Sequence, residues 1–275
     1  MPAFKQINKR SIDKTNSLMS GFPIILCILF LLHLFTLNQA SNYLIFHGIN
    51  EMSNYMPNWI SALVSDFGNG ITLGALILCY LVKRPELICR VLLAALLSLI
   101  FVPLLKQYFD APRPAVILEH LNVIGEARHK HSFPSGHSAT AFLFAGLIYL
   151  SNQQAFLRMS MIFMATLVGI SRILVGAHWP ADVVMGAIVG LSCAYAASHI
   201  CPLIRLTFRK RLLAYLLFFS ALVSSELHTG YDFSDISIVQ YVRWGLLTLS
   251  IAAVLMFAMR ETMASITAKR QRLHP

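Results

Sequence analysis

Eight apolar stretches recur along this chain, most of them 16 to 24 residues long, with short polar segments between them. A segment of roughly 20 apolar residues is long enough to cross the hydrocarbon core of a bilayer as a helix. Composition agrees: 57% of the 275 residues are hydrophobic and only 12% are charged, against about 25% charged in an ordinary soluble domain. The expected fold is therefore all-α, a polytopic bundle of transmembrane helices.

The expected spans are about 22–37, 59–82, 87–105, 137–150, 156–175, 181–200, 212–227 and 244–259. Residues 1–21 read as a polar cytoplasmic tail. The run that follows is longer than most signal-peptide cores, and Asn38-Gln39-Ala40 is a poor cleavage site, so it reads as a retained first helix. Residues 38–58 are mixed and aromatic-rich, as a segment at the outer interface would be. Residues 261–275 read as a second cytoplasmic tail, this one basic. The domain reading is one bundle: spans from 22 to 200, a two-span addition over 201–260, and the two tails. The five cysteines lack paired spacing and read as buried thiols, and no cluster with metal-ligand spacing is present.

A net charge of +10 raises the question of a nucleic-acid partner, but the cations sort by membrane side. With both termini inside, 16 of the 22 Lys and Arg residues fall in cytoplasmic segments, as the positive-inside rule requires. The six outside are Lys106, Arg113, Arg128, Lys130, Arg172 and Arg243. Nucleic acid is thereby excluded as the reason for the charge; the bilayer is the partner.

Three of those exceptions belong to clusters lying between Lys106 and Asp182. The first cluster is Lys106 with Arg113-Pro114, the second Pro134-Ser135-Gly136-His137, and the third Ser171-Arg172, His178 and Asp182. All three fall on the outer face, at the ends of the third and fifth spans and the starts of the fourth and sixth. Helix starts offer unpaired amides and a positive dipole end to an anion. Ser135 reads as an N-cap, and Gly136 lets the backbone approach a ligand closely. Lys106, Arg113 and Arg172 then neutralise a phosphate and the charge that develops as it is transferred. Asp182 lies four residues after His178, within reach of its imidazole. Such a pair makes His178 the candidate nucleophile, with His137 as the acid that protonates the leaving oxygen and then activates water. His33 and His199, inside apolar spans, read as structural. Asp66 and Asn69 in the second span read as residues paired within the bundle rather than as substrate contacts.

Taken together, Lys106-x6-Arg113-Pro114, Pro134-Ser135-Gly136-His137 and Ser171-Arg172-x5-His178-x3-Asp182 resemble the three-part signature of the type 2 phosphatidic acid phosphatase (PAP2) superfamily. The resemblance covers roughly residues 60–200. It implies a six-helix core with two added C-terminal spans, and hydrolysis of phosphate esters or anhydrides without metal or other cofactor. It assigns His178 as nucleophile, Asp182 as its partner, His137 as acid and base, and Lys106, Arg113, Ser135, Gly136 and Arg172 to phosphate binding.

An outward-facing site in a membrane protein favours a lipid phosphate, whose tail stays in the bilayer. Undecaprenyl diphosphate, phosphatidylglycerophosphate or phosphatidate, and lipid A phosphate all fit, in a bacterial inner membrane with a periplasmic site. A lipid phosphotransferase using the same phosphohistidine is the alternative, and a non-catalytic lipid-binding or transport protein a remote one. The basic loop 115–131 offers a surface that guides a lipid anion.

Overall fold

The computed structural model describes residues 21–228, 230 and 232–273. It is 79% helix, and no strand occurs among the described residues. The tail expected over residues 1–21 lies almost wholly outside them. Helix α1 (Phe22–Leu37) stops at Asn38, whose side chain accepts from Ser41 N–H at 3.2 Å and so starts α2 (Gln39–Glu51). The chain bends by 99° there. The aromatic-rich segment expected at the interface is thus a helix turned nearly perpendicular to the first span.

The second expected span is broken. Helices α3 (Asn58–Asp66) and α4 (Gly70–Lys83) meet at 56°, because Asn69 caps α4 by accepting from Ile71 N–H at 2.9 Å. Next come α5 (Ile88–Phe109), the short α6 (Pro114–Ile117), α7 (Gly136–Ser151), α8 (Ala155–Leu174) and α9 (Pro180–Ile200). The last two helices, α10 (Phe208–His228) and α11 (Ser237–Leu273), form a hairpin packed on α4.

Two expectations change. By length and apolarity four helices are able to cross a membrane, or six if each bent pair counts as one span, rather than eight. Helix α7 has only 16 residues, and α10 carries Arg209, Lys210, Arg211 and Glu226. The basic segment from residue 261 is also not a separate tail, since α11 continues through it to Leu273. No Gly or Pro interrupts residues 260–273, and Met, Ala, Lys, Arg and Gln there favour helix.

At the centre, α7 lies against α9 at very short range. A Cβ added at Gly186 would sit 2.4 Å from the Ser135 carbonyl oxygen, and one at Gly190 2.1 Å from that of Ala139. Spaced four apart, these glycines clear a track along which two backbones meet, the small-xxx-small device of membrane helices. Phe22 of α1, fully buried, fills the next layer between Tyr149 and Tyr195.

Buried charge ties the hairpin to the rest. Arg243 of α11 pairs with Asp66 of α3 and with Glu226 of α10, the latter at 3.2 Å. Asp66 also accepts from Thr72 at 2.5 Å. Asp66 therefore pairs inside the bundle, as expected, and Asn69 serves as a cap. The five cysteines are free thiols, but of the expected buried set only Cys193 is buried; Cys27 is exposed, and Cys79, Cys89 and Cys201 are half-buried.

Candidate active site

Four helix ends bring the three sequence clusters together. Helix α8 ends in a tight turn. Gly176, at φ +72°, donates to Ile173 O at 3.0 Å, and the amides of Ala177 and His178 both return to Arg172 O, at 3.1 and 3.2 Å. A Cβ at Gly176 would lie 2.4 Å from Asn122 O, so both conformation and space demand glycine. This turn places His178 beside the head of α9.

Asp182, in the first turn of α9, is the hub. One of its oxygens, Oδ2, accepts from Ser132 Oγ at 2.5 Å and Trp179 N–H at 2.9 Å, and faces His178 Nδ1 at 3.4 Å. With Nδ1–H pointing at the carboxylate, Nε2 is the free, nucleophilic nitrogen of His178. The Asp182 carbonyl accepts from Ser135 N–H at 2.9 Å, which fixes the start of α7 against that of α9.

Ser135 caps α7: its Oγ accepts from Ser138 N–H at 3.4 Å, and its carbonyl takes Ala139 N–H at 3.0 Å. The amides of Gly136 and His137 precede the first intrahelical bond and face outward from the helix start. A Cβ at Gly136 would meet only Val102 Cγ1 at 3.9 Å. Packing therefore does not require glycine at this position, whereas close approach by a ligand would. Helix α9 differs from expectation. Its first amides are already taken, Trp179 N–H by Asp182 and Ala181 N–H by Asn42 Oδ1 at 3.1 Å, so of the two expected helix starts only that of α7 remains available to an anion.

Two of the cations, Arg113 and Lys106, are held by backbone carbonyls. Arg113 donates from Nε to Lys130 O at 3.0 Å and from Nη1 to Ala177 O at 3.1 Å, next to His178. Lys106 reaches His131 O at 2.6 Å. Arg172, buried, donates to Ser65 Oγ on α3. A small polar cleft is lined by Arg113, Arg128, Arg172, Ala177, Glu126 and Asp232. Burial holds the His178 imidazole well below its usual value of 6.5, and the Arg113, Arg172 and Lys106 charges act in the same direction. Burial and these charges together favour the neutral ring.

A profile of the PAP2 superfamily matches residues 87–205. The crystal structure of Aquifex aeolicus LpxE superposes with a TM-score of 0.52 and 32% identity, over 58% of this chain and 96% of that one. The chain belongs to the PAP2 superfamily. A lipid A 1-phosphatase of Porphyromonas gingivalis is 41% identical over 63 residues, which is 22% of this chain and 14% of that protein. A probable lipid phosphate phosphatase beta of Arabidopsis thaliana is 32% identical over 126 residues, 36% of this chain and 59% of its own length. The chain thus spans less than two thirds of either curated relative. With its apolar helices and this membership, it is an integral membrane protein.

All eight sequence-selected residues of this PAP2 protein lie among the described residues; His178, Asp182 and Ser135 are joined by hydrogen bonds, and Arg113 and Arg172 line the small cleft with Asp232. Four participants were not foreseen. Ser132 anchors Asp182, and Ser65 anchors Arg172. Arg128, expected in the loop that guides a lipid anion, pairs with Asp232. Asp232 in turn faces His137 Nε2 at 3.6 Å and Arg172 Nη2 at 3.7 Å. Its place between the last two expected spans puts it, on the expected topology, on the same side as the site, which was the one available sequence signal.

Proposed function

We propose that this protein is a membrane lipid phosphatase that works through a phosphohistidine. His178 Nε2 attacks phosphorus and the bond to the leaving oxygen breaks, while His137 gives that oxygen a proton. Nδ1–H of His178, held by Asp182, carries the charge that appears on the ring. Water then attacks the phosphohistidine, His137 takes its proton, and phosphate leaves. Lys106, Arg113, Arg172 and the amides of Gly136 and His137 hold the phosphoryl oxygens throughout. The observation that carries this reading is the placement of a neutral His178, bonded through Asp182 to the helix start that bears His137, among three cations.

A lipid substrate is supported by a second feature. An apolar cavity of about 180 Å³ lies between α4, α7 and α8, lined by Phe67, Leu73, Ala141, Ala145, Met161 and Val168 among others. It begins within a helical turn of the site, since Gly68 abuts both His137 and Val168. A single lipid tail fits that description. The names of the two relatives, one for lipid A phosphate and one for lipid phosphates in general, support the same class. The charge distribution favours a site facing the periplasm of a bacterial inner membrane.

The test is release of inorganic phosphate by purified protein from undecaprenyl diphosphate, phosphatidylglycerophosphate, phosphatidate and lipid A phosphate in mixed micelles. His178→Ala should abolish release from whichever substrate is turned over. Retention of more than about one hundredth of the activity would refute the phosphohistidine.

A further inference from the structure

We infer that the C-terminal hairpin is part of the active site: it supplies Asp232 as the positioning residue that faces His137 Nε2 and favours its taking up the proton that is passed to the leaving oxygen. The inference rests on the phosphatase reading above and deepens it. Residues 87–205, the stretch matched by the family profile, contain every group assigned so far to phosphate binding and transfer. Asp232 lies beyond that stretch, between α10 and α11.

Three observations support the role. First, His137 Nε2 is a buried nitrogen with no hydrogen-bond partner, and the nearest acidic oxygen is Asp232 Oδ2 at 3.6 Å. That gap is too long for a closed hydrogen bond, so the N–H remains available to a leaving oxygen while the carboxylate lies beside it. Second, burial and then the Arg172 charge, with Arg128 and Lys106 behind it, hold the His137 imidazole well below its usual 6.5. Each disfavours an imidazolium, and Asp232 is the anion that opposes them. Although burial acts to raise the Asp232 carboxyl, His137, Arg172, Arg128 and Arg113 outweigh it and hold it below its usual 3.8, so it stays ionised.

Third, the carboxylate is fixed in place. Phe233 is 2% exposed, packed with Ala62, Ile124, Val175 and Val239. The Asp232 carbonyl accepts from Glu126 N–H at 2.9 Å, and Arg128 holds the second carboxylate oxygen, Oδ1. Gly125, at φ +85°, lets the loop pass, since a Cβ there would lie 2.1 Å from that same carbonyl. The residue is thus held through its backbone carbonyl and Oδ1, while Oδ2 faces His137 and Arg172.

The proton path balances. His137 Nε2–H passes to the leaving oxygen as that oxygen takes the electron pair of the broken P–O bond. In the second step a water proton returns to Nε2, and the Asp232–imidazolium pair is restored.

The experiment compares Asp232→Asn with the parent on two substrates, the lipid phosphate that is turned over and 4-nitrophenyl phosphate, whose leaving group departs without a proton. Loss should be about 10²-fold on the alkyl ester, the low end of what general acid catalysis contributes, and under about fivefold on the aryl ester. Asp232→Glu, which keeps the charge, should restore at least tenfold of the alkyl activity. It also serves as the reference if the Asn variant inserts poorly. Equal loss on both substrates, no loss, or a gain in turnover would overturn the role, a gain meaning that the carboxylate competes with substrate for Arg172. If His178→Ala remains active, the phosphohistidine reading fails instead, and the leaving-group comparison still reports on Asp232.

Discussion

Replacing Asp182 by Asn is the most informative single perturbation, because the site's geometry separates two effects that usually coincide. The three donors aimed at this carboxylate, Ser132 Oγ, Trp179 N–H and His178 Nδ1, all converge on Oδ2. An asparagine that puts its carbonyl oxygen in that place keeps all three, so the His178 tautomer and the start of α9 survive. What disappears is the negative charge 3.4 Å from Nδ1. Two unit charges at that distance interact by about 5 kcal/mol at an effective dielectric near 20. The ring is only partly cationic in the transition state, so about 3–4 kcal/mol is lost, or roughly 10²- to 10³-fold in kcat. KM should move less than about threefold, because phosphate is held by Lys106, Arg113 and Arg172 rather than by Asp182. The assay is steady-state phosphate release in micelles, with detergent-exchange chromatography to confirm a folded protein. A loss below about tenfold would show that charge on Asp182 does not stabilise the ring, and the nucleophile would have to be reassigned.

Two further outcomes are expected. Because burial first and then Arg113, Arg172 and Lys106 depress the His178 pKa below 6.5, the ring loses its proton at lower pH than free histidine does. The acid limb of kcat/KM against pH, which reports the free enzyme, should therefore have its midpoint below 6.5, and Arg113→Gln should move it upward; comparison on one substrate cancels the substrate's own titration, and an unmoved or lowered limb would contradict the assignment. Gly190→Ala puts a methyl 2.1 Å from Ala139 O and 2.8 Å from Leu143 N, backbone atoms that yield only if the helices part. A cost of about 3 kcal/mol, read as a fall in Tm of roughly 5 °C or more, is expected there, while Gly48→Ala, with open space around it, should leave Tm within about 1 °C.

How much of this was legible in the sequence depended on the range of the interaction. Apolar runs marked the long helices, since burial in an apolar surrounding is written into each segment separately, but they overstated how many cross the membrane. The break between α3 and α4 was missed although Asp66, Gly68, Asn69 and Gly70 interrupt the apolar run: Asp66 and Asn69 were read as residues paired within one continuous helix, whereas Asn69 caps Ile71 N–H and starts a second helix. The end of α11 was placed too early because charge was read as a stop, although a helix that leaves the membrane need not end. In the site, the residues with unusual chemistry in an apolar chain stood out. Ser132 and Ser65 did not, because a lone serine carries no signal until its partner, 50 or 107 positions away, is brought beside it.

Asp232 was invisible for a different reason. The positive-inside rule counts only Lys and Arg, so it flagged the outward cations as exceptions and was silent about the anion among them. Yet a cluster of Arg113, Arg172, Lys106 and Arg128 at membrane level is expensive when no phosphate is present. Asp182 offsets part of that charge but is turned toward His178 and Ser132. Asp232 offsets more, touching Arg128 and lying within 3.7 Å of Arg172. A site strongly cationic enough to bind a phosphate dianion thus needs an internal counter-ion in its resting state. The hairpin supplies one from a position where it also faces the proton donor, so the same carboxylate serves both the stability of the empty site and the departure of the leaving group.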